Sequence, residues 1–184
     1  MDNYREQVRR IASRRDGEAV FNASDEHAAI VVEEIFRTAQ RQVSILTGHL
    51  APRIFARDRL LSWSEIFLSD PEHRLRILAR EGEIDKLGPN PAYEQLQGYP
   101  NVEVRALPDS LEAEIAFRFI TADDDIYRFE PDKNKCAAVA AFGDSKVAQH
   151  LQEVFDTLWE VSAMVDRKTL KVMPSLQYEE ETQP

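Results

Sequence analysis

A chain of 184 residues that is 43% hydrophobic, with nine Phe, two Trp and five Tyr, can bury one sizeable core and does not read as disordered. Its formal charge of −10 opposes general attraction to nucleic-acid backbone, and a single cysteine, Cys136, excludes an intramolecular disulfide or a multi-cysteine metal cluster. No apolar run approaches the roughly 20 residues of a membrane helix and no apolar signal core follows Met1, so the expectation is a soluble cytoplasmic protein with no membrane partner.

The first 15 residues carry Arg5, Arg9, Arg10, Arg14 and Arg15 against Asp2 and Glu6, a net of +3, on a short predicted helix stopped by Asp16-Gly17. These arginines are the candidates for gripping nucleic acid, a partner, or the protein's own acidic surface. The chain ends in the acidic run Tyr178-Glu179-Glu180-Glu181. Three segments follow: a basic one over residues 1–21, a folded domain over 22–165, and an acidic tail over 166–184.

Ser24 or Asp25 can cap a helix whose apolar residues Ala28, Ala29, Val32, Ile35, Phe36 and Ala39 keep helical spacing. Glu26, Glu33, Glu34, Arg37, Gln40 and Arg41 fill much of its other side, and the pattern runs to about Gln42. Val43–Gly48 alternates and is β-branched, which predicts the first strand of the main sheet, with a loop at His49–Pro52. Helical spacing returns over 53–69, a strand over 75–79, a short helix over 91–96 and a strictly alternating strand over 102–107. A last strand over 137–142 precedes a helix capped by Asp144 or Ser145, with Val147, Leu151, Val154, Phe155, Leu158 and Trp159 on its core face. This order predicts an α/β fold in a single domain, a mixed central sheet flanked by helices.

The segment 115–130 reads as a β-hairpin. Parity places Phe117, Phe119 and Thr121 on one face with Tyr127 and Phe129, and Arg118 and Ile120 on the other with Ile126, Arg128 and Glu130. Phe119 then opposes Phe129, Arg118 opposes Glu130, and Asp123-Asp124-Asp125 forms the turn. Three acids in a row could hold Ca²⁺ or Mg²⁺, but no further paired acids accompany them, and a turn using local side-chain hydrogen bonds is the better account. No metal and no cofactor are expected.

The hairpin is similar to the motif strand and turn of the phospholipase D superfamily, His-x-Lys-x4-Asp, with Ala116, Arg118 and Asp123 on the three positions. The helix before Val43–Gly48, the strand at Val102–Arg105 and the closing helix from Asp144 extend the resemblance over most of residues 25–162. It implies a phospholipase D-like α/β domain in which the family's His attacks phosphorus, its Lys binds phosphate oxygens and its Asp supports the electrostatics. Members with one motif per chain often pair, so a homodimer is among the expectations.

Ala116 cannot act as a nucleophile. The histidines do not restore the motif, because His27, His49, His73 and His150 are followed two positions on by Ala29, Ala51, Leu75 and Gln152. The family's Gly-Ser falls on Glu130-Pro131, where an anion neutralises Arg118 instead of binding phosphate. No phosphate-binding glycine loop and no Gly-x-Ser-x-Gly elbow exists.

The sequence therefore points to a non-catalytic phospholipase D-like domain, without catalytic residues, acting in protein binding or regulation. Arg118, Arg128, Glu130, Thr47 and His49 are the candidates for a cleft that two arginines could turn toward an anion. The alternatives are a phosphodiesterase or nuclease-like enzyme with an altered site, and a nucleic-acid-binding protein using the N-terminal arginines.

Overall fold

The computed structural model describes residues 2–112 and 114–173. In chain order the elements are α1 (Asp2–Arg14), β1 (Ala19–Asn22), α2 (Asp25–Thr38), β2 (Gln42–Thr47), α3 (Pro52–Phe55), α4 (Asp58–Leu68) and β3 (Arg74–Arg80). A 3-10 helix at Glu81–Leu87 leads to α5 (Pro91–Leu96), β4 (Val102–Leu107), α6 (Asp109–Glu112), β5 (Arg118–Ala122) and β6 (Ile126–Glu130). The chain then adds β7 (Ala138–Phe142), α7 (Ser145–Glu160) and β8 (Ala163–Met164).

The eight strands form one sheet in the order β1-β7-β6-β5-β2-β3-β4-β8. β2, β3 and β4 are mutually parallel, and the remaining neighbours are antiparallel. Two cores sit on its two faces. One contains Val32, Ile35, Phe67 and Tyr93 from α2, α4 and α5 against Ile45, Ile77, Ile120 and Ile126. The other packs Leu151, Phe155 and Trp159 of α7 on Phe119, Tyr127 and Leu78. Alternation in β5 and β6 supplies both faces at once, as side chains of period two require.

The hairpin register is the one parity demands: Phe119 faces Phe129 and Arg118 faces Glu130 across the strands. α7 has a narrower apolar stripe than its spacing suggests. Leu151, Phe155 and Trp159 are buried with Ala148, while Val147 is 36% exposed. The helical pattern over 53–69 divides at residues 56–57 into α3 and α4.

α2 departs from the two-sided helix expected. It is buried continuously from Ala28 to Phe36, Glu33 and Glu34 included. The sheet takes one side while α1 and α4 cover others, so both acids need partners. Glu33 receives Arg5 Nη1 at 2.5 Å and Arg59 Nε at 3.5 Å, and Glu34 receives Arg37 Nε at 2.6 Å. The helix also stops at Thr38, short of Gln42, because the backbone N–H groups of Gln40, Arg41 and Gln42 go to the Asp123 carboxylate instead.

The segment boundary expected at residue 21 is crossed by core contacts. α1 buries Val8, Ile11 and Ala12, and β1 pairs with β7. Gly17 N donates to Phe142 O at 2.8 Å, and Gly143, at φ +95, lies so close to the Arg15 carbonyl that a Cβ there would stand 2.1 Å from its oxygen. Residues 163–173 hold to β4 through β8, with a further bridge between Val165 and Val172. The acidic run 178–184 lies outside the described residues.

Candidate functional site

A cleft opens at the C-terminal end of β2, where β5 begins and β6 ends, and it is lined by Thr47, His49, Arg118, Arg128 and Glu130. In α/β sheets that edge, beyond the carboxyl ends of the parallel strands, is where ligands ordinarily bind. Arg118 enters it because parity puts residue 118 on the α2 face of the sheet, and Glu130 arrives opposite by register. The cavity measures about 80 Å³, room for a few waters or one small anion head.

The charges in it are unequal. Arg53, Arg118, Arg128, Lys133 and Lys135 line the cleft against Asp25 and Glu130. Within a chain of net charge −10 this is a local reversal of sign. Glu130 is shared: its Oε2 accepts from Arg128 Nη1 at 3.0 Å, and its Oε1 lies 3.8 Å from Arg118 Nη1. The side chains of Arg128 and Glu130 are 5% and 7% exposed, so this pair is nearly out of water, while Arg118 keeps 25%.

One carboxylate cannot satisfy two guanidinium groups with five N–H donors each. Arg128 Nε finds the side-chain oxygen of Asn22 at 3.2 Å. Arg128 Nη2 and Arg118 Nε are buried and have no hydrogen-bond partner among the described residues. A buried donor left unpaired costs about 1–3 kcal/mol, more for a charged group.

Neighbouring groups tighten the cleft wall. Asn22 donates to the Cys136 carbonyl at 2.9 Å, and the Cys136 thiol lies 3.1 Å from Asp25 Oδ1, which places it as the donor. Burial, followed by the Asp25 carboxylate, pushes that thiol from 9.0 up to about 11, so it is protonated and unreactive near neutrality. Arg53 Nε holds the other Asp25 oxygen at 3.0 Å. Lys133 N donates to the Ala116 carbonyl at 2.7 Å and stitches the loop after β6 to the residue at the motif's first position.

At the opposite wall, Thr47 Oγ1 donates to the His49 carbonyl at 3.0 Å, and His49 Nδ1 lies 3.2 Å from Glu83 Oε2. Lys86 Nζ reaches the other Glu83 oxygen at 3.1 Å. Burial raises the Glu83 carboxyl, but the hydrogen bonds from His49 and Lys86 outweigh it and hold the group below its ordinary range. Gly48 makes this approach feasible. A Cβ on it would stand 1.9 Å from Glu83 Oε2 and 3.1 Å from Arg118 Nη2.

The residues expected to share the motif with Arg118 do not all reach it. Asp123 closes the far end of β5, about 17 Å away along the strand. At φ 50 it turns its carboxylate onto the N–H groups of Gln40 and Arg41, at 3.0 and 2.9 Å, and onto Arg15 Nη2 at 3.1 Å. Its role is structural and remote from the cleft, a correction to the electrostatic support that the motif implied. Asp125 takes Arg15 Nε at 2.6 Å, and Asp124 takes Arg41.

The N-terminal arginines are also scattered. Arg5 is tied to Glu33, Arg14 to Asp16 and Glu18, and Arg15 to Asp123 and Asp125. Arg9 and Arg10 alone of the five remain exposed without an ion pair among the described residues. Three of the five arginines are thus held by the protein's own acids.

The site residues that sequence missed are Asn22, Asp25, Arg53, Glu83 and Lys133. They lie on four separate stretches of chain, and only the cation-rich Lys133-Asn134-Lys135-Cys136 carried a local signal.

This layered mixed sheet, with its cleft at the mouth of the hairpin, is a phospholipase D-like α/β fold. The chain belongs to the family described as a domain of unknown function (DUF7931), whose model matches residues 23–169. It is similar to Nuc from Salmonella typhimurium, a phospholipase D family member, with a TM-score of 0.60 and 14% identity over 81% of this chain and 98% of that one. NucT from Helicobacter pylori matches with a TM-score of 0.59 and 12% identity over 81% and 99%. TrmBL2, an archaeal chromatin protein with a novel mode of DNA binding, matches at 0.58 and 13% over 89% of this chain, which spans 61% of the TrmBL2 chain. At such identities the likeness is one of fold. No curated protein matches the sequence. No helix among the described residues is long and apolar enough to cross a membrane.

Proposed function

We propose that the chain is a non-catalytic phospholipase D-like domain that holds a small anion in the old cleft and works through protein binding or regulation. The observation that carries this reading is the pair of buried donors without partners, Arg118 Nε and Arg128 Nη2, in a cleft whose cations outnumber its acids. A buried guanidinium with an unmet N–H is a ready donor for a phosphate, sulfate or carboxylate oxygen. The degenerate motif supports the absence of turnover: position 116 is alanine, and the cation at 118 is paired to Glu130. Neither the Cys136 thiol, held protonated, nor any serine elbow supplies a substitute nucleophile. The domain limits at residues 22–165 are best extended to include α1 and β1, whose side chains complete the core.

Thermal unfolding in rising phosphate and sulfate tests the anion. A saturable rise in midpoint is expected for the wild type, with affinity lost at least about tenfold in Arg118→Ala. Hydrolysis of a chromogenic phosphodiester, lost in the same variant, would establish the altered-phosphodiesterase alternative instead.

A further inference from the structure

We infer that the anion is a tetrahedral dianion, of the phosphomonoester or sulfate type, and that His49 is its third, proton-linked donor. This rests on the anion-binding reading above and specifies the ligand and its pH dependence. It differs from a diester site, where the ligand carries a single charge.

The geometry begins at Gly48. With no side chain there, Glu83 Oε2 can reach the imidazole and bond Nδ1 at 3.2 Å. The His49 main chain is fixed by Thr47 on the other side. A carboxylate on Nδ1 sets the tautomer: the proton of neutral His49 sits on Nδ1, and Nε2 presents a lone pair. A lone pair repels an anion's oxygen. Only imidazolium offers an N–H at Nε2, so His49 can join Arg118 and Arg128 in binding only after taking up a proton.

Glu83 and Lys86 face His49 from the 3-10 helix, and Arg118 Nη2 approaches the same space above Gly48 from β5. The other charged groups on the cleft are Arg53 of α3, Asp25 of α2, Arg128 and Glu130 of β6, and the two lysines at 133 and 135. Carboxylates, lysines and arginines do not ordinarily titrate between pH 5.5 and 8, whereas imidazole does. The ligand-linked proton is therefore assigned to His49 Nε2, the cleft position whose donor exists only in the protonated ring once Nδ1 is held by Glu83. A second unit of ligand charge is favoured because Arg118, Arg128, Lys86 and protonated His49 carry four positive charges against two from Glu130 and Glu83.

Sulfate stays a dianion and dimethyl phosphate a monoanion across this pH range, so neither probe titrates. Calorimetric titration of the full chain should show sulfate binding about tenfold tighter at pH 5.5 than at pH 8. It should be accompanied by proton uptake when buffers of different ionisation enthalpy are compared, and dimethyl phosphate should bind more weakly with a shallower pH slope. His49→Gln and Glu83→Gln should bind sulfate with little pH dependence. In the wild type, the His49 imidazole nitrogens observed by NMR should shift toward the protonated form as sulfate is added near neutral pH; this readout stands even where a variant does not fold. A flat sulfate profile in the wild type, the same slope in His49→Gln, or an imidazole unmoved by sulfate would overturn the role of His49 while leaving an anion site. Absence of any sulfate or phosphate binding at every pH would overturn the anion reading itself.

Discussion

The two ends of the β5–β6 hairpin share the same strands yet treat charge in opposite ways. At the turn, Asp123, Asp124 and Asp125 meet Arg15, Arg41 and a run of backbone N–H groups. At the mouth, Arg118 and Arg128 share one carboxylate and keep buried N–H groups unmet. The closed end is what a fold does with charge for its own stability. The open end carries a standing cost, as Arg37 Nη2 and Arg105 Nε do elsewhere among the described residues, but here the unmet donors line a cleft where a ligand would relieve it. Position alone does not separate these cases, because both ends are arginine–carboxylate clusters on one hairpin.

Removing the shared acid should have the largest effect. Glu130→Ala leaves Arg128 buried without a counter-ion and should lower stability by about 3–5 kcal/mol in urea titration, with part of the loss restored by saturating sulfate. A loss under about 1 kcal/mol would show that Glu130 does not hold the mouth together. Asp123→Ala at the turn comes next, at about 3 kcal/mol, because it removes a buried acceptor of several donors and places alanine at a positive φ. Sulfate should not restore that loss, and a restoration as large as that for Glu130→Ala would erase the distinction between the two ends.

The smallest effect concerns the thiol at the cleft wall. Its folded value of about 11 lies above the ordinary 9.0, so its contribution is complete below pH 9 and is lost as pH rises through 11. Cys136→Ala should therefore flatten part of the alkaline fall in melting temperature between pH 9 and 11. Alkylation of the wild type at pH 8 should be correspondingly slow. Rapid modification there would place the thiol outside the buried, Asp25-bonded setting described.

The hairpin was the most legible element, since period-two alternation fixes which residues face which once two aromatic runs flank a turn. The parallel strands and α7 were legible for the same reason of periodicity. β1 was not: four residues, Ala19-Val20-Phe21-Asn22, carry too little pattern, and Phe21 is 72% exposed on the sheet edge. The burial of Glu33 was hidden because its partner Arg5 lies 28 residues away. Thr47, His49, Arg118, Arg128 and Glu130 could be nominated from strand ends and parity, and all line one cleft. The contact between His49 and Glu83 spans 34 residues and depends on a glycine whose small size matters only in three dimensions.

The seam between α1 and the far end of the sheet also sets an order on assembly. Arg15 and Asp125 are 110 positions apart, and the Arg15 carbonyl nests against Gly143. In N-to-C synthesis the acids that hold Arg15 and the strand that seats β1 are made more than 100 positions after them, whereas Arg5 can meet Glu33 much earlier. The seam at Arg15 can therefore close only when the chain past Gly143 is out, which makes it a late step in completing the domain.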